Sequence, residues 1–200
     1  MRKSIHLTHF TPKANQNGYA LFIVLMIMIV IALLVVAAIQ SYNTEQRIST
    51  NEADRKLAVS LAEAALRKGE NKILDFEEKK IVFTGNCVGK IGNTDWNGLC
   101  ATPDAFVPEV NNYAIEVKRD TTGLINAWER KDENGELYID KNGQSVTDIK
   151  AESVTKNPVY IIEYISTDTT QGTIVYRVTA KAWGKNKNTV VMLQSYVANE

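Results

Sequence analysis

Twenty consecutive residues near the start of the chain, Ala20 to Ile39, carry no charge, no side-chain amide and no proline. As an α-helix rising about 1.5 Å per residue, this run would span about 30 Å, the thickness of a bilayer's hydrocarbon core. No proline follows until Pro103, and the pattern after the apolar run changes character without losing helix compatibility. From Gln40 to Lys72 the chain is rich in Glu, Arg, Lys, Leu and Ala, all good helix formers. Leu57, Leu61, Ala64 and Ala65 fall on one face at helical spacing, while Glu52, Asp54, Arg55, Lys56 and Glu63 occupy the others. The pattern predicts one helix from Tyr19 to Lys72, with Gly69 as an alternative early stop. Its first half suits lipid, and its second half suits packing on a domain.

The remainder reads as strands. From Tyr113 to Arg119, Tyr113, Ile115 and Val117 alternate with Ala114, Glu116 and Lys118, as in a half-buried strand. Asn134-Gly135 and Asn142-Gly143 are hairpin-type turns, which predicts a short strand over Leu137-Tyr138-Ile139. Three longer strands follow: Val159 to Ile165, Thr173 to Trp183 and Thr189 to Val197. Within the second, Ile174, Tyr176, Val178, Ala180 and Ala182 alternate with Val175, Arg177, Thr179 and Lys181. Gly184 to Asn188 is the turn that makes a C-terminal antiparallel hairpin of the last two. The expected fold is α+β, a long N-terminal helix packed on an antiparallel β-sheet. Residues 1–18 form a basic leader, 19–72 the helix with its membrane segment at 20–39, and 73–200 a β-rich globular domain. The middle, about 85–155, carries no assignable motif.

Charge orients the apolar run. The leader holds Arg2, Lys3 and Lys13, and no acid occurs before Glu45. Cations ahead of a hydrophobic span keep that end in the cytoplasm and place the bulk of the chain beyond the inner membrane. Asn17-Gly18-Tyr19 then sits directly ahead of the span, the reverse of the order in a secretory signal, where the cut follows the apolar core. Three readings are open: a leader cut after Gly18 with the apolar segment retained, an uncleaved signal anchor, and a signal cut near Val36-Ala37-Ala38. Loss of the leader leaves 20 cations against 23 acids, a net charge of −3, with no basic patch of the kind that binds nucleic acid.

The two cysteines, Cys87 and Cys100, read as a disulfide in a chain routed to an oxidising compartment. The glycines and polar residues between them allow the loop to close, and a loop of this length contributes about 3 kcal/mol in the chain-entropy model. They are not a C-x-x-C pair and no histidine accompanies them. The only histidines, His6 and His9, lie in the leader; without it there is no histidine for Ser-His-Asp or Cys-His catalysis or for a zinc site. Asp132-Glu133-Asn134-Gly135 and Asp140-Lys141-Asn142-Gly143 lack the spacing of a calcium loop and read as solvated turns. An anchored periplasmic enzyme would also need a phosphate-binding glycine loop or a supported carboxylate pair, and neither is present; no catalytic residue, cofactor or metal is expected. Trp96, within the cysteine loop, Trp128 and Trp183 are candidate partner anchors, as Trp is enriched at interface hot spots. Trp183 is expected to pack on the domain, although strict alternation assigns it to the more polar face.

Three stretches together resemble the PilX-type minor pilins of type IV pili. They are Gly18 to Met26; Glu45 to Ile48 with Leu61 to Glu70; and Tyr176 to Gly184 with Val190 to Val197. The resemblance implies that a prepilin peptidase cuts after Gly18 and methylates the new amine on Tyr19. It also implies that the apolar helix packs with those of other subunits in a filament core. Expected partners are the other minor pilins, the major pilin, the peptidase, the inner-membrane assembly platform and a tip adhesin. The expected location is the inner membrane, crossed once with the C-terminal domain in the periplasm, and then the pilus fibre. Major pilins carry a glutamate five residues into the mature chain, thought to neutralise a neighbour's terminal ammonium; here Ile23 stands in its place. A missing carboxylate disfavours addition beneath an existing subunit, because an unpaired charge in a dry bundle is costly. The K-type minor pseudopilin of type II secretion shares this departure and caps its complex. The resemblance therefore implies a tip or near-tip subunit that primes assembly and offsets retraction, on which motility, adhesion and DNA uptake depend indirectly. A minor pseudopilin of type II secretion and a signal-anchored periplasmic protein are the alternatives.

Overall fold

A computed structural model describes residues 19–76, 79–106, 115–119, 124–149, 154–168, 170 and 172–199, the side chains of 104–106 excepted. The described chain divides into two compact units, with the boundary between Thr50 and Asn51. A single helix, α1 (Tyr19–Leu74), runs through both. In the first unit it is exposed along its whole length, and none of its most apolar stretch is buried.

In the second unit α1 lies on a sheet of nine strands: β1 (Ile81–Thr84), β2 (Val88–Ile91), β3 (Thr94–Asn97), β4 (Leu99–Phe106), β5 (Ile115–Lys118), β6 (Gln144–Ser145), β7 (Val159–Thr167), β8 (Ile174–Trp183) and β9 (Val190–Asn199). The path across it is β3-β2-β1-β4-β7-β8-β9, with β5 on β1 and β6 on β7. The expected C-terminal hairpin is present, β8 and β9 pairing antiparallel through ten registered residues from Ile174–Asn199 to Trp183–Val190. The α+β fold holds, but the sheet is mixed rather than purely antiparallel. β1 runs parallel to β4 and to β5, and β4 runs parallel to β7. Parallel neighbours need long crossovers; the excursion from β4 to β7 supplies one of them.

Two other differences from the sequence pattern have local causes. Leu137-Tyr138-Ile139 is not a strand: Tyr138–Asn142 forms a short helix, α2, with Gly143 N–H bonded to Ile139 C=O and Ile139 fully buried. The Asn134-Gly135 turn does form, but it closes only one bridge, Lys131 to Leu137. Gly69 is no stop either. It sits inside α1, buried, where an added Cβ would stand 2.5 Å from Val178 Cγ1 and 3.0 Å from Tyr160 Cδ2. The helix therefore approaches the sheet through small residues: Ala58, Leu61, Ala62, Ala65, Gly69 and Ile73 are buried, a face rotated from the expected Leu57/Leu61/Ala64/Ala65 stripe. Of the expected strand over Tyr113 to Arg119, Ile115–Lys118 is present as β5; Tyr113 and Ala114 lie outside the described residues.

Each face of the sheet has its own core. The helix side holds Ile81, Phe83, Leu99, Tyr160, Ile162, Tyr164, Tyr176, Val178 and Ala180 against Ala65, Ile73 and Phe76. Four aromatic rings, Phe76, Phe83, Tyr164 and Tyr176, meet there with centroids 5.7 to 6.3 Å apart. The opposite face holds Cys87, Cys100, Val159, Ile161 and Trp183, covered by Ala127 and Ile139. Trp183 thus follows the strand's alternation and is still buried, because the face it points to is covered.

Candidate functional site

Three features bear on function: the start of α1, the tie between α1 and the C-terminal turn, and the covered second face of the sheet. The leader, with Gly18, His6 and His9, lies outside the described residues. Tyr19 is the first residue of α1, and Ile23 follows one turn later on the same exposed, uncharged segment. From Tyr19 to Thr44 the helix carries no acidic or basic side chain. It is long and apolar enough to cross a membrane. A helix that is apolar all round is made to be surrounded, either by lipid or by other apolar helices.

Asp54 stands where the soluble part of α1 meets the turn between β8 and β9. Its carboxylate accepts the backbone N–H of Lys185 at 2.5 Å and of Asn186 at 3.2 Å. A hydrogen bond from the Thr189 side chain is the main cause that holds Asp54 below the usual carboxylate range; desolvation opposes it, and the two amides and Lys185's charge add to the lowering. Gly184 makes the approach feasible, since a Cβ there would lie 2.6 Å from Asp54 Cγ. Thr155 braces the same turn from the other side, its hydroxyl donating to Gly184 C=O at 3.0 Å. Sequence reasoning placed Asp54 merely off the apolar stripe; a contact 131 positions away leaves no local signal.

The second face is polar by sequence and buried in fact. Arg177 grips Glu163 with two parallel bonds, Nε to Oε2 at 2.9 Å and Nη2 to Oε1 at 3.0 Å. Burial pushes Glu163 up from the usual carboxylate range, opposed by the Arg177 fork and by the charge of Arg130. The Trp128 ring lies 4.3 Å from the Arg177 guanidinium carbon, in cation–π contact. Lys181 reaches both oxygens of Asp140 on α2, at 2.6 and 2.7 Å. Arg130, 1% exposed, donates to the carbonyls of Gly85, Ala101 and Ile125. Gly85 and Ala101 adjoin the disulfide in the chain: Cys87 and Cys100 are bonded, enclosing the β2–β3 hairpin, and Cys87 takes the left-handed conformation (φ 63°) in the turn after β1. The segment 124–149 is thereby fastened over the sheet by the Arg130 bonds to carbonyls, the Asp140–Lys181 ion pair and the stacking of Trp128 on Arg177.

The remaining candidates are also placed. Trp96 is half-buried against the helix-side core, beneath the Lys72 ammonium at 4.5 Å, so its ring serves its own domain rather than standing clear as an anchor. The Asp132 carboxylate accepts the amides of Asn134 and Glu136 and pairs with Lys141 at 2.7 Å; an ammonium occupies the position a cation would need. Among the described residues no cluster of His, Cys, Asp and Glu could hold a metal.

Two family models match the chain. One, described as PilX N-terminal, covers residues 17–67; the other, described as Type IV pilus assembly protein PilX C-term, covers 84–199. No curated protein and no solved structure gave a match.

Proposed function

Because the chain belongs to the PilX family of type IV pilus assembly proteins, we propose that it is a minor pilin that primes filament assembly at or near the tip and offsets retraction. The observation that carries this reading is the first half of α1. The helix is uncharged from Tyr19 to Thr44, and the chain that carries it is matched by both models of the same family, over 17–67 and 84–199. In this reading the prepilin peptidase cuts after Gly18 and methylates Tyr19. Residues 1–18 are discarded, 20–39 cross the inner membrane, and the β-rich domain lies in the periplasm until the subunit moves into the fibre.

Ile23 supports the tip position. A growing filament brings each new helix into an apolar bundle, where a terminal ammonium needs a carboxylate partner. With Ile23 at the fifth mature position and no acid before Glu45, this chain offers none to a subunit placed ahead of it. It can therefore come first and be followed, which is the PilK-like place within the family. Its partners are then the other minor pilins, the major pilin and the inner-membrane platform, with an adhesin able to ride above. The same missing glutamate favours a second reading, a K-type minor pseudopilin of type II secretion, and gene neighbourhood separates the two.

Intact mass of the membrane-extracted protein, with and without the prepilin peptidase, tests the class. The expected species is a peptidase-dependent chain beginning at N-methyl Tyr19 and lighter by two hydrogens for the disulfide. A chain beginning at Met1 in both strains would remove the pilin reading.

A further inference from the structure

The disulfide and the layer that covers it are held by the same short pieces of chain. Arg130 bonds to Gly85 C=O, two residues before Cys87, and to Ala101 C=O at 2.7 Å, one residue after Cys100. Its third acceptor, Ile125 C=O, belongs to the layer itself. Asn142 Nδ2 donates to Asn86 C=O at 2.7 Å, next to Cys87. Ala127 and Ile139, both fully buried, share one apolar cluster with the two cysteines. Residues 124–142 therefore dock on the chain to either side of the sulfur bond.

That bond keeps the acceptors where Arg130 and Asn142 need them. β1 meets β4 through a single registered pair, Thr84–Cys100, so little ladder fixes the turn after β1. Cys87 stands in that turn at φ 63°, a conformation unfavourable to a residue with a Cβ. Without the bond Cys87 is free to leave it, and the carbonyls of Gly85 and Asn86 move as it does. Arg130 is 1% exposed, and a buried guanidinium that loses an acceptor is driven towards water. The Asp140–Lys181 pair and the Trp128–Arg177 stacking hold the layer to β8, but neither supplies Arg130 with an acceptor. β6 is paired with β7 and bounds the part that can lift.

We propose that the oxidation state of Cys87 and Cys100 gates the docking of residues 124–142, which close over the sheet once the disulfide has formed and lift when it is reduced. Oxidation comes first, because both cysteines are fully buried when the layer is down and thiol–disulfide exchange needs access to a sulfur. Each thiol gives up a proton, the two sulfurs pass two electrons to the disulfide of a donor protein, and the donor leaves as a dithiol. The closed layer then shields the new bond from reductants. The second face of the sheet thus takes its finished form only in an oxidising compartment. This inference concerns the domain alone and does not depend on the minor-pilin reading.

The test uses the detergent-solubilised full chain, oxidised or reduced in urea and returned to native buffer, with its thiols counted by mass after alkylation. Amide hydrogen exchange over 124–142 is expected to speed up by about tenfold or more in the reduced chain, while β8 and β9 keep their protection. Protection over 124–142 equal to that of the oxidised chain overturns the proposal. So does a simultaneous loss over β8, which would make the disulfide a staple of the whole domain. The shielding is tested from the other side with oxidised Arg130→Gln and with Ile139→Ala, which thins the cover and leaves the Arg130 acceptors alone. In both, dithiothreitol is expected to reduce the disulfide about tenfold faster than in the parent, with β8 protection unchanged. Parental reduction rates in both variants overturn the gate.

Discussion

Single residues fix how closely the layers of this domain approach. Gly69 is poorer than alanine for helix propensity by about 1 kcal/mol, yet alanine would press on Val178 and Tyr160. Overpacking of this kind costs about 1–3 kcal/mol, so Gly69→Val is expected to lower the thermal midpoint of the detergent-solubilised protein, and a midpoint at or above the parent's would refute the close-approach role. Asp54 carries a pH dependence. Its folded pKa is depressed, so the stabilisation it provides is present above the unfolded aspartate range and is lost as pH falls through the lower folded value. Amide exchange at Lys185 and Asn186 should therefore lose protection, beyond the intrinsic pH trend, as acid is added below about pH 4. In Asp54→Asn that acid-linked loss should be absent. Glu163 and Arg177 are a buried pair, and removing one partner strands the other. Glu163→Met or Arg177→Met alone should cost about 3–5 kcal/mol in chemical unfolding, and the double substitution less than their sum.

At the scale of elements, the sequence announced what depends on periodicity and hid what depends on covering. The long helix, β7, β8 and β9 were all legible, because each carries a sustained 3.6- or 2-residue pattern. β1 to β4 were not: β1 to β3 have four residues each, too few to show a period, β4 has Pro103 within it, and their order follows from a disulfide and from parallel pairing across distant segments. On the more polar side of β8, Arg177, Thr179 and Lys181 alternate with apolar residues, and nothing in the strand's own sequence announces that this side is covered. It is buried because Glu163, Asp140 and Trp128 come from elsewhere to satisfy it. Of the candidate site, the uncharged first half of α1 and the cysteine pair were readable, while Asp54 and Arg130 act over distances no local pattern reports. The disulfide encloses a hairpin that buries little of its own. Cys87→Ser with Cys100→Ser is expected to cost about 2–4 kcal/mol and to expose β2–β3 to limited proteolysis first; unchanged protease resistance there would show that the sheet holds the hairpin unaided.

For the whole molecule, the two units have opposite solvent requirements. Tyr19 to Ile39 is exposed and apolar, and the domain from Asn51 onward buries its core on both sides of one sheet. A protein so divided is stable only where an apolar phase and water meet, or where other subunits replace the lipid. Transfer from one apolar environment to the other is driven by packing rather than by exclusion of water. Removing residues 1–39 is thus expected to yield a soluble domain with its disulfide intact and with secondary structure and thermal unfolding close to those of the parent's domain. Aggregation of that fragment would show that the first unit supports the fold.

Arg130 has a consequence for how this protein tolerates change. It fastens the outer layer by bonding main-chain carbonyls of Gly85, Ala101 and Ile125, groups that every amino acid possesses. A clasp that reads the backbone is blind to the side chains it holds down. At Ile125, held through its carbonyl and already exposed like its neighbour Leu124, the side chain can be exchanged while the sheet beneath stays as it is. Ala127, Trp128, Ile139 and Asp140 have no such freedom, since their side chains themselves meet the sheet; the outer layer therefore varies at the points held by main chain and is fixed between them.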